Sequence, residues 1–360
     1  MRRGLALAVG IGLALGACTG SDAPSSEVEP SSSASSASSA SSSEVTTTAP
    51  EPGWARIDRA LSDLGPDVGF LAARVAADGT CDPVHEVASS TARPTGSQFK
   101  LFVLGALAEQ VAAGRISWDQ TLTVDDAVRS LGNAPETGAL QFVAAGTSVS
   151  VEEAATKMIS ISDNTAADLL LGLVGRDAVV EQMRRWTESA AANEPFFTTR
   201  QMLLLHYVTG LADQYLATPP DERAAFLAAS VDPLPIGDIA SGYSEEPRFI
   251  EEIEWFASPD DVCRTFAGLQ EQAQDPASAA LSTVLSREVA GIGLDPSAWP
   301  TVWYKGGSEP GVLTLGWLAT TSDGETFVVE AMVSNPDDAL SPESITDLVG
   351  LAQDTFALLA

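Results

Sequence analysis

The stretch from Pro300 to Asn335, PTVWYKGGSEPGVLTLGWLATTSDGETFVVEAMVSN, decides the fold. Its apolar residues are mostly β-branched or aromatic, and its breaks are Glu-Pro-Gly and Ser-Asp-Gly. It reads as three strands, 300–307, 311–322 and 326–335, joined by turns so short that neighbours run antiparallel. Near the other end, 68–76 and 84–89 read as strands flanking the turn-rich ADGTCDP. Between these groups the apolar spacing is helical, over 151–159, 164–174, 176–186, 198–212 and 259–273. A helix also opens at Ser97 and runs to about Gly114. The segment 54–65 reads as a further helix, and a last one follows Ser341 as N-cap with Pro342 at its first position. No internal repeat is present. Strands at both ends and helices between predict an α/β (α+β) fold: an antiparallel sheet built from both chain ends and packed with helices, beside an all-helical lobe.

Outward from this core the chain changes character. Arg2 and Arg3 precede a short apolar run, Leu5 to Leu15, too short to span a membrane. The run ends in Leu15-Gly16-Ala17-Cys18, which resembles a bacterial lipobox. On that reading residues 1–17 are a lipoprotein signal peptide and acyl chains on Cys18 anchor the protein to the outer face of the cytoplasmic membrane. An ordinary signal peptide with an incidental cysteine is the alternative. Residues 18–52 are mostly Ser, Ala, Thr, Glu and Pro, and read as a tether that cannot bury a core. The domain then spans 53–360. The formal net charge of -30 excludes nucleic acid as a partner, since binding there needs a basic footprint. Nothing in the pattern calls for oligomers, and a monomer is expected. Cys81 and Cys263 are the leftover pair in a secreted chain, a disulfide candidate linking an early strand to a late helix.

Only three lysines occur, Lys100, Lys157 and Lys305, and two of them stand in unusual places. Ser97 lies three residues before Lys100 at the head of the apolar run GSQFKLFVLGAL, so a helix brings both side chains to one face. A serine there can be a nucleophile and a partly neutral lysine its base; the plain alternative is an N-cap and a lysine reaching for solvent. Ser162-Asp163-Asn164 lies between two helices. It reads as a turn or helix cap, or as a proton relay (Ser162) and a substrate-binding amide (Asn164). Lys305-Gly306-Gly307 ends a strand, where glycines admit a second backbone or a ligand.

Ser-x-x-Lys, Ser-Asp-Asn and Lys-Gly-Gly in this order resemble the serine β-lactamase and penicillin-binding-protein superfamily, class A β-lactamases most of all. The wording GSQFKLFVLGAL and ISDNTAADLLLGLVGRDAV is similar to that of actinobacterial lipoprotein β-lactamase-like hydrolases, a group that includes a protein of clavulanic acid biosynthesis. The resemblance implies a β-lactamase/transpeptidase-like fold and an acyl-enzyme mechanism. Ser97 would be the nucleophile, Lys100 its base, with a pKa lowered by Lys305 and by burial, and Ser162 the relay. Asn164 would hold the substrate amide and Lys305 its carboxylate. The N–H groups of Ser97 and Ser308, with Gly307 between the strand lysine and Ser308, would form an oxyanion hole. No cofactor and no metal is required. His85 and His206 are expected to be structural, since no Gly-x-Ser-x-Gly elbow accompanies them.

The chain also departs from that family. Gly306 replaces the usual Thr or Ser, which deletes a hydroxyl expected to bind substrate. The segment WTESAAANEPFFTTR is short: Glu194-Pro195 begins like the motif for the deacylating water, but Thr198 stands in place of Asn. Slow deacylation is therefore expected. Residues 219–258 look like an insertion, either a wall of the site or a surface excursion. The substrate expected is a small molecule, a β-lactam, ester or amide. A peptidase acting on cell-wall stem peptides and a non-catalytic surface binding protein are the competing readings.

Overall fold

The computed structural model describes residues 53–242 and 244–360. The signal segment, Cys18 and the tether lie outside the described residues. Five antiparallel strands form the main sheet: β1 (Asp67–Val75), β2 (Cys81–Val87), β7 (Thr301–Glu309), β8 (Val312–Thr320) and β9 (Thr326–Ser334), in the order β2-β1-β9-β8-β7. The register from Asp67↔Ser334 to Val75↔Thr326 sews the start of the domain to its end. Both faces of the sheet are covered, so the inner strands are apolar on both sides. Phe70, Ala72, Trp317 and Val329 pack under α1 (Gly53–Ser62) and α11 (Glu343–Leu359). Leu71, Ala73, Leu318 and Val328 face the helical lobe.

Strand β2 begins at Cys81 and takes in Pro83, a turn in the sequence reading; a bulge between Ala72 and Ala73 accommodates the proline on an edge strand. The last helix begins at Glu343, and Ser341 bonds Ser344 Oγ (3.3 Å) and accepts Ser344 N–H through its carbonyl instead of capping by its side chain.

The lobe is built around α2 (Lys100–Ala112), whose residues from Lys100 to Ala108 are all buried. Short strands β4 (Thr121–Val124) and β5 (Thr147–Ser150) lead into α3 (Val151–Ser160), α4 (Asn164–Val174) and α5 (Arg176–Trp186). The predicted helix 198–212 is two helices, α6 (Thr199–Tyr207) and α7 (Leu211–Ala217), broken around Gly210. Thr198 caps α6 in a capping box with Gln201.

Within 219–258 the chain forms α8 (Arg223–Phe226) and further single turns, and buries Leu227, Val231, Ile250, Ile253 and Trp255. It ends in β6 (Phe256–Ala257), paired with β3 (Arg93–Pro94) just before Ser97. Helices α9 (Pro259–Gln272) and α10 (Ala280–Ser286) complete the lobe. Cys81 on β2 and Cys263 on α9 are disulfide-bonded across 182 residues. Among the described residues no helix is long and apolar enough to cross a membrane.

Candidate active site

Ser97 lies on a single 3₁₀ turn, Gly96–Phe99, that runs directly into α2, and so on a tighter helix than the sequence reading gave it. In that turn residues i and i+3 eclipse, which sets Ser97 over Lys100. Lys100 Nζ stands 2.9 Å from Ser97 Oγ. The same nitrogen is 2.6 Å from the Ser162 carbonyl, 3.1 Å from Ser162 Oγ and 2.7 Å from Asn164 Oδ1. Carbonyl and amide oxygens can only accept, so they claim two N–H bonds. Ser97 then receives either the third proton of an ammonium or the lone pair of an amine. Burial lowers Lys100 to about pH 7, against the opposing pull of Asp163 and Asp168.

The Ser162 backbone has φ 54°, a left-handed conformation unusual for serine. Asp163 makes the bend possible: it caps α4 by accepting Ala166 N–H (3.0 Å) and holds Leu140 N–H (2.6 Å). Ser162 is thereby turned between two lysines, since Lys305 Nζ also donates to its Oγ at 3.1 Å. Lys305, on β7, is buried, and both burial and Lys100 hold it well below the usual lysine range. For Lys100 itself burial is the depressing cause. Asn164 is occupied at both ends, by Lys100 and by the Leu131 carbonyl (2.6 Å), with one amide N–H left over.

Two glycines bring the nucleophile turn against β7. A Cβ on Gly307 would fall 2.1 Å from the Thr95 carbonyl and 2.6 Å from Ser97 N. Gly96 sits at φ +48°, and a Cβ there would come 2.9 Å from Ser308 N. The N–H of Ser97, in the first turn of its helix, and that of Ser308 therefore belong to segments in direct contact. Thr95 is fixed from both sides, its N–H donating to Trp255 O (2.8 Å) and its carbonyl accepting Thr314 Oγ1 (2.9 Å). Trp255 stacks on Phe99, two residues after Ser97, at 3.7 Å between centroids.

No hydrogen-bond partner of Ser97 or Lys100 among the described residues is a carboxylate side chain. Glu194 is half-exposed and paired with Arg184. Asp168 is buried, but its two oxygens accept the N–H groups of Thr199 (2.7 Å) and Arg200 (2.9 Å) at the head of α6. Burial raises Asp168 to about 6.

His85 lies on β2, stacked on Trp54 and bonded to Asp58 at 2.6 Å. His206 is buried on α6, its Nδ1 3.6 Å from Glu309, the residue after Ser308. Sequence reasoning passed over Gly96, Gln98, Asp168, Glu254, Glu309 and Glu330. The one available signal was Glu330, an acid inside the apolar run TFVVEAMVSN.

Comparison with known proteins agrees with this geometry. A point mutant of PBP-A, solved as its acyl-enzyme complex with penicillin G, is 18% identical, with a TM-score of 0.56 over 85% of this chain and 95% of that one. A β-lactamase from Sphaerobacter thermophilus DSM 20745 is 22% identical, with a TM-score of 0.56 over 83% and 96%. A class A β-lactamase from Mycobacterium abscessus is 14% identical, with a TM-score of 0.54 over 85% and 98%. These likenesses establish the fold. No curated protein matches the chain. The model of the beta-lactamase enzyme family matches residues 55–352, and the chain belongs to that family of serine hydrolases.

Proposed function

We propose that Ser97 is acylated by β-lactams, or by small esters and amides, and that the acyl-enzyme is released slowly. The observation that carries this reading is Lys100 Nζ, 2.9 Å from Ser97 Oγ and balanced near neutrality between amine and ammonium. As amine, Lys100 takes the Ser97 proton while Oγ attacks the carbonyl carbon. The developing oxyanion is received by the N–H groups of Ser97 and Ser308. When the C–N or C–O bond breaks, Ser162 Oγ gives its proton to the leaving atom and regains one through its bonds to Lys100 and Lys305. Lys305 offers positive charge to a substrate carboxylate, and the free N–H of Asn164 offers a donor to its amide.

Slow release follows from the surroundings of the ester. Deacylation needs a base for water. Glu194 faces Arg184, and Asp163 and Asp168 have their oxygens committed to backbone N–H groups. Among the described residues Lys100 is the base bonded to Ser97, and it or bulk water must serve. The PBP-A mutant captured with penicillin G supports a stable acyl-enzyme on this fold. The lipobox-like Leu15-Gly16-Ala17-Cys18 supports an enzyme anchored to the outer face of the membrane.

The test is the intact mass of the full chain over time with a penicillin and with a cephalosporin, in membrane and soluble fractions. An adduct that persists for many minutes, vanishes in Ser97→Ala and moves from membrane to medium in Cys18→Ser is expected. Decay within seconds would refute slow release; absence of any Ser97-dependent adduct would refute the acylation reading. Cys18→Ser protein that stays with the membrane would refute the anchor.

A further inference from the structure

Beneath the oxyanion segments lies a group of titratable side chains that the chemistry above does not use. Glu254 is buried just before β6, and Glu309 follows Ser308 at the end of β7. Their carboxyls face each other at hydrogen-bonding range, yet Oε1 of each meets no donor. Two carboxylates cannot bond; two carboxyls with a proton between them can. The Glu254 carboxyl also takes the N–H group of Trp255, whose carbonyl in turn accepts the Thr95 N–H at 2.8 Å. One member of the pair therefore orders the residue that holds Thr95, at the head of the Gly96–Ser97 turn, and the other is covalently next to Ser308.

The surroundings keep that proton in place. His206 Nε2 lies 2.7 Å from the Ile253 carbonyl and must donate to it, so Nδ1, 3.6 Å from Glu309, carries a lone pair. Burial lowers His206 to about 4, with Arg248 adding to the effect, so the imidazole is neutral and brings no charge to the pair. Arg248 acts on His206, and its guanidinium donates to the Gly242 carbonyl at 3.0 Å. Burial raises Glu309 to about 7 and Glu254 well above the usual carboxylate range.

We infer that Glu254 and Glu309 are positioning residues: their shared proton clamps the Gly96–Ser97 turn to Ser308, and loss of that proton drives the two oxyanion N–H groups apart. The inference rests on the acyl-transfer reading of Ser97. It gives acylation a pH window. The rate rises with pH as Lys100 becomes an amine. It falls again as the pair loses its proton and two like charges repel in a buried site.

The experiment is the rate of Ser97 adduct formation with a fluorescent penicillin, on the full chain, from pH 6 to 9. It compares wild type with Glu309→Gln, whose amide donates to Glu254 whatever the pH. The two rates should agree within about twofold at pH 6. Above the pair's apparent pKa the variant should gain about tenfold per pH unit, up to the ~10²-fold typical of losing one oxyanion donor. The rising limb set by Lys100 should stay in both. Glu254→Gln is the second variant, with the same expected profile, should Glu309→Gln fail to fold. A constant ratio across the range would overturn the clamp and leave the acylation reading standing. No wild-type adduct at any pH would overturn that reading, and the clamp with it.

Discussion

A threonine or serine at position 306 would place a hydroxyl one residue from Lys305, and from the sequence its loss reads as a loss of substrate binding. The backbone places it elsewhere. Gly306 points away from Lys305, to the face of Tyr304, and a Cβ there would fall 2.3 Å from the Tyr304 hydroxyl and 2.8 Å from Leu315. Glycine is required by packing on the far side of the sheet. Gly306→Thr should therefore destabilise the protein by about 1–3 kcal/mol, as overpacked cores do, without faster acylation. Thermal melting and adduct formation with penicillin check this together; an unchanged melting temperature with a faster adduct would restore the binding explanation. Ser97, Lys100, Ser162 and Lys305 were legible because Ser-x-x-Lys, Ser-Asp-Asn and Lys-Gly-Gly occur in the order that the family's motifs take. The face that Gly306 presents was not, since alternation along β7 has meaning only once Lys305 is known to face the lobe.

Among the elements, the apolar period found most helices and all three late strands, but their ends were set by partners distant in sequence. The break between α6 and α7 falls at Gly210, whose φ of 75° suits glycine, while the 3₁₀ turn under Ser97 is held against β7 by Gly96 and Gly307. Pro83 belongs to a strand because β2 is an edge, which the sequence could not say. The cysteine pair was legible by count alone. Its bond joins β2 to α9 and closes a loop of 182 residues. In the loop-entropy model such closure contributes about 5 kcal/mol, and measured losses for native disulfides run about 2–5 kcal/mol. Cys81→Ser with Cys263→Ser should lower stability by that range in urea, measured against the oxidised protein. A midpoint that does not move would mean the bond adds nothing to packing that already holds the helix.

At the scale of the whole molecule, acids were the least legible feature. The sheet buries Glu330 completely, opposite Gly316, with Lys305 one strand further along the same row, and Gln98 donates to it at 2.8 Å. Its pKa is pushed well above the carboxylate range by burial. The sign follows: stability from the neutral form is complete below the unfolded pKa of about 4.3 and is lost as pH rises toward the folded value. Glu330→Gln should thus match wild type near pH 4. It should gain on wild type above that, by at most about 1.4 kcal/mol per pH unit while Glu330 keeps its proton. Urea melts of both proteins from pH 4 to 8 measure the difference; one that stays constant would show that Glu330 titrates normally.

The strand order has a consequence for when this protein can act. β9 is the middle strand of the sheet and the last of the five in the chain, bonded to β1 on one side and β8 on the other. Contacts this distant in sequence close late and slowly. A nascent chain that already carries Ser97, Lys100, Ser162 and even Lys305 has no platform to hold them together until residue 334 has arrived. Ser97 and Lys100 are without their scaffold while the chain is being made, and acquire it only when the central strand docks.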